Sequence, residues 1–350
     1  MKKLGLQSSQ FKFVVPVLIC LAFLASHESS QAQTATMKAV VIRSYGGPEV
    51  LKVEDVPTPV PKEDEILIRV VAASVNPVDV AIRKGYLAEL IGNKFPLVLG
   101  MDAAGIVEKT GPRITKFKAG DPVYAFFTLA SEGGYAELVI AKENEIAPKP
   151  KAVNYAEAAA VPAAGSTAWQ VLVDVARLGA GQTVLIHGGS GGVGHLAIQI
   201  AKTRGARVIA TASTANQDFI KKMGADVAVD YTKTKFEEVA KDVDVVLDMV
   251  GDETLKRSYS VVKKGGIIVS IADEVDQNEL DAHGIRGVAF RCTPKASVLE
   301  DLAKLIDAKK ITPVVSQTFP LSEVAKAQEQ IATRHTHGKI VLQVADEPKS

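Results

Sequence analysis

Cysteine is nearly absent. The 350-residue chain has two, Cys20 and Cys292, which excludes a disulfide scaffold and a Cys-rich zinc lobe. Charge of one sign is also lacking, because 41 Lys and Arg stand against 40 Asp and Glu. With no basic surplus to neutralise phosphates, general nucleic-acid binding is excluded. The N-terminal apolar run, Phe13 to Ala25, has 13 residues and contains Pro16. A membrane-spanning helix needs about 20, so no stable span is expected. Aromatics make up 5% of the chain while glycine is abundant at 27, which suits an α/β protein of small residues and tight turns. The hydrophobic share (47%) and charged share (23%) are those of ordinary globular chains, which excludes disorder and collagen-like structure. The length suggests two domains.

The first 36 residues read differently from the rest. Lys2, Lys3 and Lys12 precede the short apolar run, and a polar, small-residue stretch follows it. These are the parts of a secretory signal over residues 1–32, with Ser30 and Ala32 at the −3 and −1 positions. Export to a periplasm or the exterior is the expectation. The alternative is a cytoplasmic protein translated from Met37, where MKAVVI looks like a natural beginning. Cleavage after Ala32 removes Cys20 and leaves Cys292 alone.

Residues 37–156 carry short β-branched runs, such as EILIRVVAASV, bounded by Pro and Gly, and read as a barrel-like all-β region. From residue 157 to 305 strand and helix patterns alternate. QTVLIH is followed by a glycine loop and by a helix with Val193, Leu196, Ala197, Ile200 and Ala201 on one face. That alternation implies a doubly wound parallel sheet of Rossmann type. Residues 306–345 return to strands (ITPVV, GKIVLQV) around a helix, so the tail rejoins the first region and the α/β unit is an insertion.

The loop His187-Gly188-Gly189-Ser190-Gly191-Gly192-Val193-Gly194 holds GxGxxG at Gly189, Gly191 and Gly194. It leaves a buried strand and opens an amphipathic helix, the context in which missing Cβ atoms let the backbone approach a pyrophosphate. The following strand chooses the dinucleotide. An acid there grips the ribose of NAD, but this chain reads TASTAN, with Ser213 and Asn216 and no acid until Asp218. Hydroxyl and amide donors suit a 2′-phosphate, so NADP is preferred over NAD.

Several further segments carry a family resemblance: ASVNPVDVAIRKG, PLVLGMDAAGIV, AGDPVY, GGYAE, PAAGSTAW, GGSGGVG, MGADVAVDY and HGKIVL. Together they resemble the zinc-free quinone oxidoreductase and alkenal (enone) reductase branch of the medium-chain dehydrogenase/reductases. The resemblance implies a Rossmann domain inserted into a GroES-like barrel, and a homodimer. In zinc-dependent relatives the metal is bound by a Cys where this chain has Asn76 and a His where it has Met101. Neither substitute is a good zinc ligand, so no metal is expected. Hydride delivery to a simple ketone leaves an alkoxide that needs a Lewis acid. An enone leaves a delocalised enolate and a quinone a phenolate-like anion, which a few hydrogen-bond donors can stabilise.

By resemblance, Ser190, Gly191, Gly192 and Val193 cradle the pyrophosphate, and Ser213, Asn216 and Tyr231 surround the 2′-phosphate. Asn76 and Thr167 lie by the nicotinamide and substrate, and Lys339 approaches the cofactor. Ala81 stands where alkenal reductases often carry Lys, so the proton comes from Tyr86 or from water. Asp79 reads as structural, His187 as a strand-end core residue, His195 as a surface residue of the first helical turn, and Cys292 as packed. The expected activity is NADPH-dependent, zinc-independent reduction of small-molecule quinones or enones. The alternative is a non-catalytic NADPH-binding sensor or structural protein on the same fold.

Overall fold

The computed structural model describes Met1, residues 35–129, Ser131 and residues 133–348. The signal-peptide expectation therefore lies, apart from Met1, outside the described residues. Among those residues no helix is long and apolar enough to cross a membrane.

The first part of the chain builds β1 (Thr36–Ile42), β2 (Lys52–Pro57), β3 (Ile66–Val75), helices α1 (Pro77–Arg83) and α2 (Ala88–Ile91), and β4 (Leu97–Val98). It continues with β5 (Asp102–Thr110), β6 (Pro122–Phe126), β7 (Leu138–Ala141) and β8 (Ile146–Pro148). The expectation of an all-β region needs correction, because α1 and α2 interrupt it. Asn76-Pro77 starts α1: proline's fixed φ and missing N–H suit the first helical turn, and Asp79 Oδ2 accepts the Asn76 N–H at 2.8 Å.

The chain then passes through α3 (Tyr155–Ala159) and α4 (Pro162–Trp169), and a π-turn over Gln170–Val175. Next come β9 (Thr183–Ile186), α5 (Gly192–Thr203), β10 (Arg207–Ala212), α6 (Gln217–Lys222), β11 (Val227–Asp230), β12 (Val243–Asp248), α7 (Asp252–Ser258), β13 (Val262–Ser270), α8 (Gln277–His283) and β14 (Arg286–Ala289). These six strands pair in parallel in the order β11-β10-β9-β12-β13-β14. The order reverses between β9 and β12, and a crevice opens at such a switch point, beyond the carboxyl ends of the strands. Strand residues Val184, Leu185, Ile186 and Val246 are fully buried, as helices on both faces require.

After α9 (Ala296–Asp307) the tail forms β15 (Val315–Pro320), α10 (Val324–Ala332) and β16 (Lys339–Gln343). Strand β16 pairs antiparallel with β3 in the register Ile340↔Val75 and Val341↔Ser74, which brings Lys339 beside Asn76. The sequence places a strand over ITPVV; the structure starts it at Val315. Thr312 instead exchanges bonds with the Gln199 side chain on α5 (2.8 and 3.0 Å), and Val314 N–H donates to His195 Nε2 at 3.2 Å. The segment is tied to a helix face as well as to the start of β16, where the Val314 carbonyl accepts the Lys339 N–H at 2.9 Å.

Candidate active site

The glycine loop sits at the end of β9. Gly188 has φ +74, a left-handed value that favours glycine. Two bonds moor the loop to β10: Gly188 N–H donates to Thr211 Oγ1 at 3.2 Å and Gly189 N–H to the Thr211 carbonyl at 2.8 Å. Gly338 N–H donates to the Ser190 carbonyl at 2.8 Å, so the tail also holds the loop. Helix α5 begins at Gly192 with no side-chain cap, and its first N–H groups have no intrahelical acceptor. A Cβ on Gly194 would meet the Gly188 carbonyl oxygen at 2.3 Å, and one on Gly189 would meet Ala210 Cβ at 2.9 Å. Those two glycines serve packing. On Gly191 the only atom within 4 Å of a Cβ would be Gly188 O, at 3.5 Å. The space before the helix terminus is open, and it fits a dinucleotide's pyrophosphate.

Both loop histidines are buried. His195 is thus not the surface residue expected. Because Val314 N–H can only donate, His195 Nε2 is the bare nitrogen, and Nδ1–H donates to the Gly191 carbonyl at 3.0 Å. Burial pushes its pKa down to about 4. His187 lies between Thr211 Oγ1 (3.3 Å) and Ser258 Oγ (3.0 Å), and burial lowers it to about 3. Both rings are neutral scaffold.

At the end of β10, Asn216 Nδ2 donates to Ser213 Oγ at 3.2 Å. Tyr231 is more than half exposed, and its N–H reaches the Ala212 carbonyl at 3.3 Å. The structure thus groups Ser213, Asn216 and Tyr231 at the carboxyl ends of the neighbouring strands β10 and β11. It adds Asp230, which the sequence reading missed, opposite Ala212 in register. This carboxylate is engaged by the Thr214 and Thr232 hydroxyls at 2.5 and 2.7 Å and by Lys233 at 3.5 Å. The hydroxyls, Thr214 first, hold its pKa near 2.

A buried polar cluster occupies the junction of β3, β5, α4 and β16. Asn76 Oδ1 accepts from Lys339 Nζ at 2.6 Å, and Nδ2 donates to Asp102 Oδ2 at 2.8 Å. Lys339 Nζ also reaches the Val75 carbonyl at 3.1 Å and lies 3.7 Å from Asp102. Asp102 further accepts from Ser74 Oγ and from the Ala163 N–H at the start of α4, each at 2.6 Å. An ammonium only donates and a carboxylate only accepts, so the two ions fix which way the amide points. Turning it would lose two charge-assisted bonds, each worth about 1.5–3 kcal/mol. Burial lowers the Lys339 pKa, and Asp102 and Asp79 pull it back up. The Lys339 stem passes α5, where a Cβ on Gly192 would meet its Cδ at 2.7 Å, but the ammonium turns into the cluster.

Asp79 lies behind this group. Its Oδ2 accepts from Asn76 N–H and from Tyr135 Oη at 2.7 Å, while Oδ1 has no partner among the described residues. Burial raises its pKa to about 7. Tyr86 joins none of this. It is 73% exposed with Lys84 over its ring, because α1 ends at Arg83 and the chain turns at Gly85. The phenol that shares Asp79 Oδ2 with the Asn76 N–H is the fully buried Tyr135, of the GGYAE segment.

Thr167 Oγ1 donates to the Ala163 carbonyl of its own helix at 2.7 Å. Cys292, beyond β14, lies beside Thr167, and burial raises its thiol to about 11. Met101, adjacent to Asp102, lines an apolar cleft with Ile82, Ile91, Leu97, Thr128 and Leu129. Among the described residues no three His, Cys, Asp or Glu side chains are grouped to hold a metal ion.

Comparison with known proteins decides the family. The alcohol dehydrogenase GroES-like domain matches residues 62–151, and the family described as zinc-binding dehydrogenase matches residues 223–342. An Arabidopsis thaliana protein, "NADPH-dependent alkenal/one oxidoreductase, chloroplastic", is 39% identical over 317 residues, covering 87% of this chain and 79% of its own. The chain belongs to the medium-chain dehydrogenase/reductase family. Its fold is the GroES-like barrel with a Rossmann-like parallel sheet. A quinone oxidoreductase structure from Coxiella burnetii superimposes with TM-score 0.83 at 35% identity, covering 89% of this chain and all of that one. An Escherichia coli quinone oxidoreductase complexed with NADPH gives 0.80 at 28% identity, covering 88% of this chain and 100% of its own. As a member of this family with quinone and alkenal oxidoreductase relatives, the chain is an oxidoreductase.

Proposed function

We propose that this oxidoreductase is NADPH-dependent and zinc-independent, and that it reduces quinones or the C=C of α,β-unsaturated carbonyls. The observation that carries the reading is the pairing of Asn76 and Met101 at the two positions where zinc-dependent relatives place a Cys and a His. An amide already bonded on both atoms and a thioether make a poor donor set for zinc. Ser190, Gly191, Gly192 and Val193 hold the pyrophosphate, while Ser213, Asn216 and Tyr231 meet the 2′-phosphate. The names of the relatives support NADPH. When bound, the nicotinamide supplies a hydride. Asn76 and Thr167 flank the reacting carbon, and the aliphatic cleft beside Met101 excludes water and takes the apolar body of a neutral acceptor.

This division of labour suits acceptors that delocalise their own negative charge. An enolate or a quinol anion, whose parent phenol has a pKa of about 10, needs hydrogen-bond donors rather than a Lewis acid. The final proton comes from water, since Tyr86 is largely exposed with Lys84 over its ring. The test is a panel of enones and quinones, assayed for loss of reduced-nicotinamide absorbance with NADPH and with NADH. Turnover with NADPH preferred supports the reading. Tight NADPH binding without turnover on any acceptor overturns it in favour of a non-catalytic nucleotide-binding protein.

A further inference from the structure

Lys339 packs its stem against Gly192 of the glycine loop, and its buried ammonium meets Asn76 Oδ1, the Val75 carbonyl and Asp102. Asn76 Nδ2 carries two hydrogens, and among the described residues only Asp102 accepts one. The amide is 7% exposed, so its free N–H is held in an almost dry setting at the C-terminal end of β3. In such a setting a donor acts strongly on a developing oxyanion and needs no reorganisation during the reaction. An unrestrained amide could present either oxygen or nitrogen to that place. Here a donor-only ion and an acceptor-only ion permit a single orientation.

We propose that Lys339 and Asp102 are positioning residues that act through Asn76, fixing its amide so that the remaining Nδ2–H is presented to the carbonyl oxygen of the acceptor. Three separate elements build this device: β16 brings Lys339, β5 brings Asp102, and the β3–α1 junction brings Asn76. Asp102 also accepts the Ala163 N–H, which couples the amide to the helix that carries Thr167. The inference rests on the enone or quinone reading, and it gives the Lys339 ammonium a task on the acceptor side of the site while its stem stays against Gly192.

The experiment measures kcat, KM and NADPH affinity, the last by nicotinamide fluorescence, for Lys339→Met, Asn76→Ala and the Lys339→Met/Asn76→Ala pair. Hydride transfer is followed in single turnover where steady-state rates are low. The expected result for Lys339→Met is a fall in kcat of about 10- to 100-fold, with NADPH dissociation constants within about twofold of the parent. In the Asn76→Ala background the same change lowers kcat by less than about threefold, because the group it positions is gone. Lys339→Met leaves Asp102 buried without its cation. If that variant does not fold, Lys339→Met/Asp102→Asn, which removes both charges, carries the same expectation. Equal losses in both backgrounds, or a weakening of NADPH binding as large as the loss in kcat, overturn the proposal. A parent protein that turns over no enone or quinone refutes the functional reading instead, so the two failures are distinguishable.

Discussion

Replacing Gly191 with Ala separates the demands of folding from those of the ligand. Gly191 has φ −72 and ψ −179, ordinary extended backbone that alanine adopts without strain. The added Cβ would find one neighbour, Gly188 O at 3.5 Å, an ordinary contact. Removing glycine's freedom from the unfolded chain then stabilises the protein by about 0.4–1 kcal/mol. For a chain of this size that is a rise in Tm of about 1–3 °C. The same methyl projects into the space before the α5 terminus, where the pyrophosphate must approach bare N–H groups. NADPH affinity falls by at least about tenfold, or about 1.4 kcal/mol. Gly194→Ala is the control: its Cβ would meet Gly188 O at 2.3 Å and the Gly189 backbone at 2.8 Å, so it lowers Tm at a cost of about 1–3 kcal/mol. Differential scanning fluorimetry without nucleotide and a fluorescence titration with NADPH give the two readouts. An unchanged dissociation constant for Gly191→Ala, or a loss of Tm like that of Gly194→Ala, would show that Gly191 does not serve the ligand rather than the fold.

Acid stability depends on two opposed sets of buried groups. His187 and His195, lowered to about 3 and about 4, stay neutral while the unfolded chain takes up protons below pH 6.5. Their contribution is complete above that pH and falls as pH drops, by about 4 kcal/mol in total at pH 5. Asp79, raised to about 7, works in the other direction: its burial penalty is full above pH 7 and is relieved as pH falls toward 3.8, returning about 2–3 kcal/mol by pH 5. Asp79→Asn therefore steepens the acid loss, and urea unfolding at pH 7 and pH 5 checks it; parallel pH slopes for parent and variant contradict the assignment. Mass spectrometry of the chain expressed in a secreting bacterial host is expected to find Gln33 at the mature N-terminus, and a start at Met37 contradicts the export signal. Light scattering is expected to find a homodimer, paired through the edge of β14, which has no further strand beside it among the described residues.

Features whose cause is local were legible in the sequence. The glycine loop, the apolar face of α5 and the alternation of strand and helix each follow from spacing within some 20 residues, and the parallel sheet follows from them. Helix α1 was missed although Asn76-Pro77 signals a helix start, because the β-branched run before it dominated the reading. His195 was misplaced because helical periodicity describes only one packed face. A second face of α5 is covered by Thr312 and Val314, more than 110 positions away. The Lys339–Asn76 bond joins residues 263 apart and depends on the register of β16 against β3, which no local pattern encodes. The bond from Tyr135 to Asp79 joins residues 56 apart and is equally invisible to a local pattern.

Metal-free hydride transfer to an acceptor that stabilises its own anion distinguishes a conjugated aldehyde from a saturated one. The direct measurement is a comparison of two aldehydes of equal chain length, one with a conjugated C=C and one saturated, using enzyme exhaustively treated with a zinc chelator and checked for metal content. NADPH oxidation with the alkenal is expected to be unchanged by chelation, with its C=C reduced, and the alkanal to give no turnover. Loss of alkenal reduction that returns on adding zinc, or comparable reduction of the saturated aldehyde, would contradict metal-free transfer to such an acceptor.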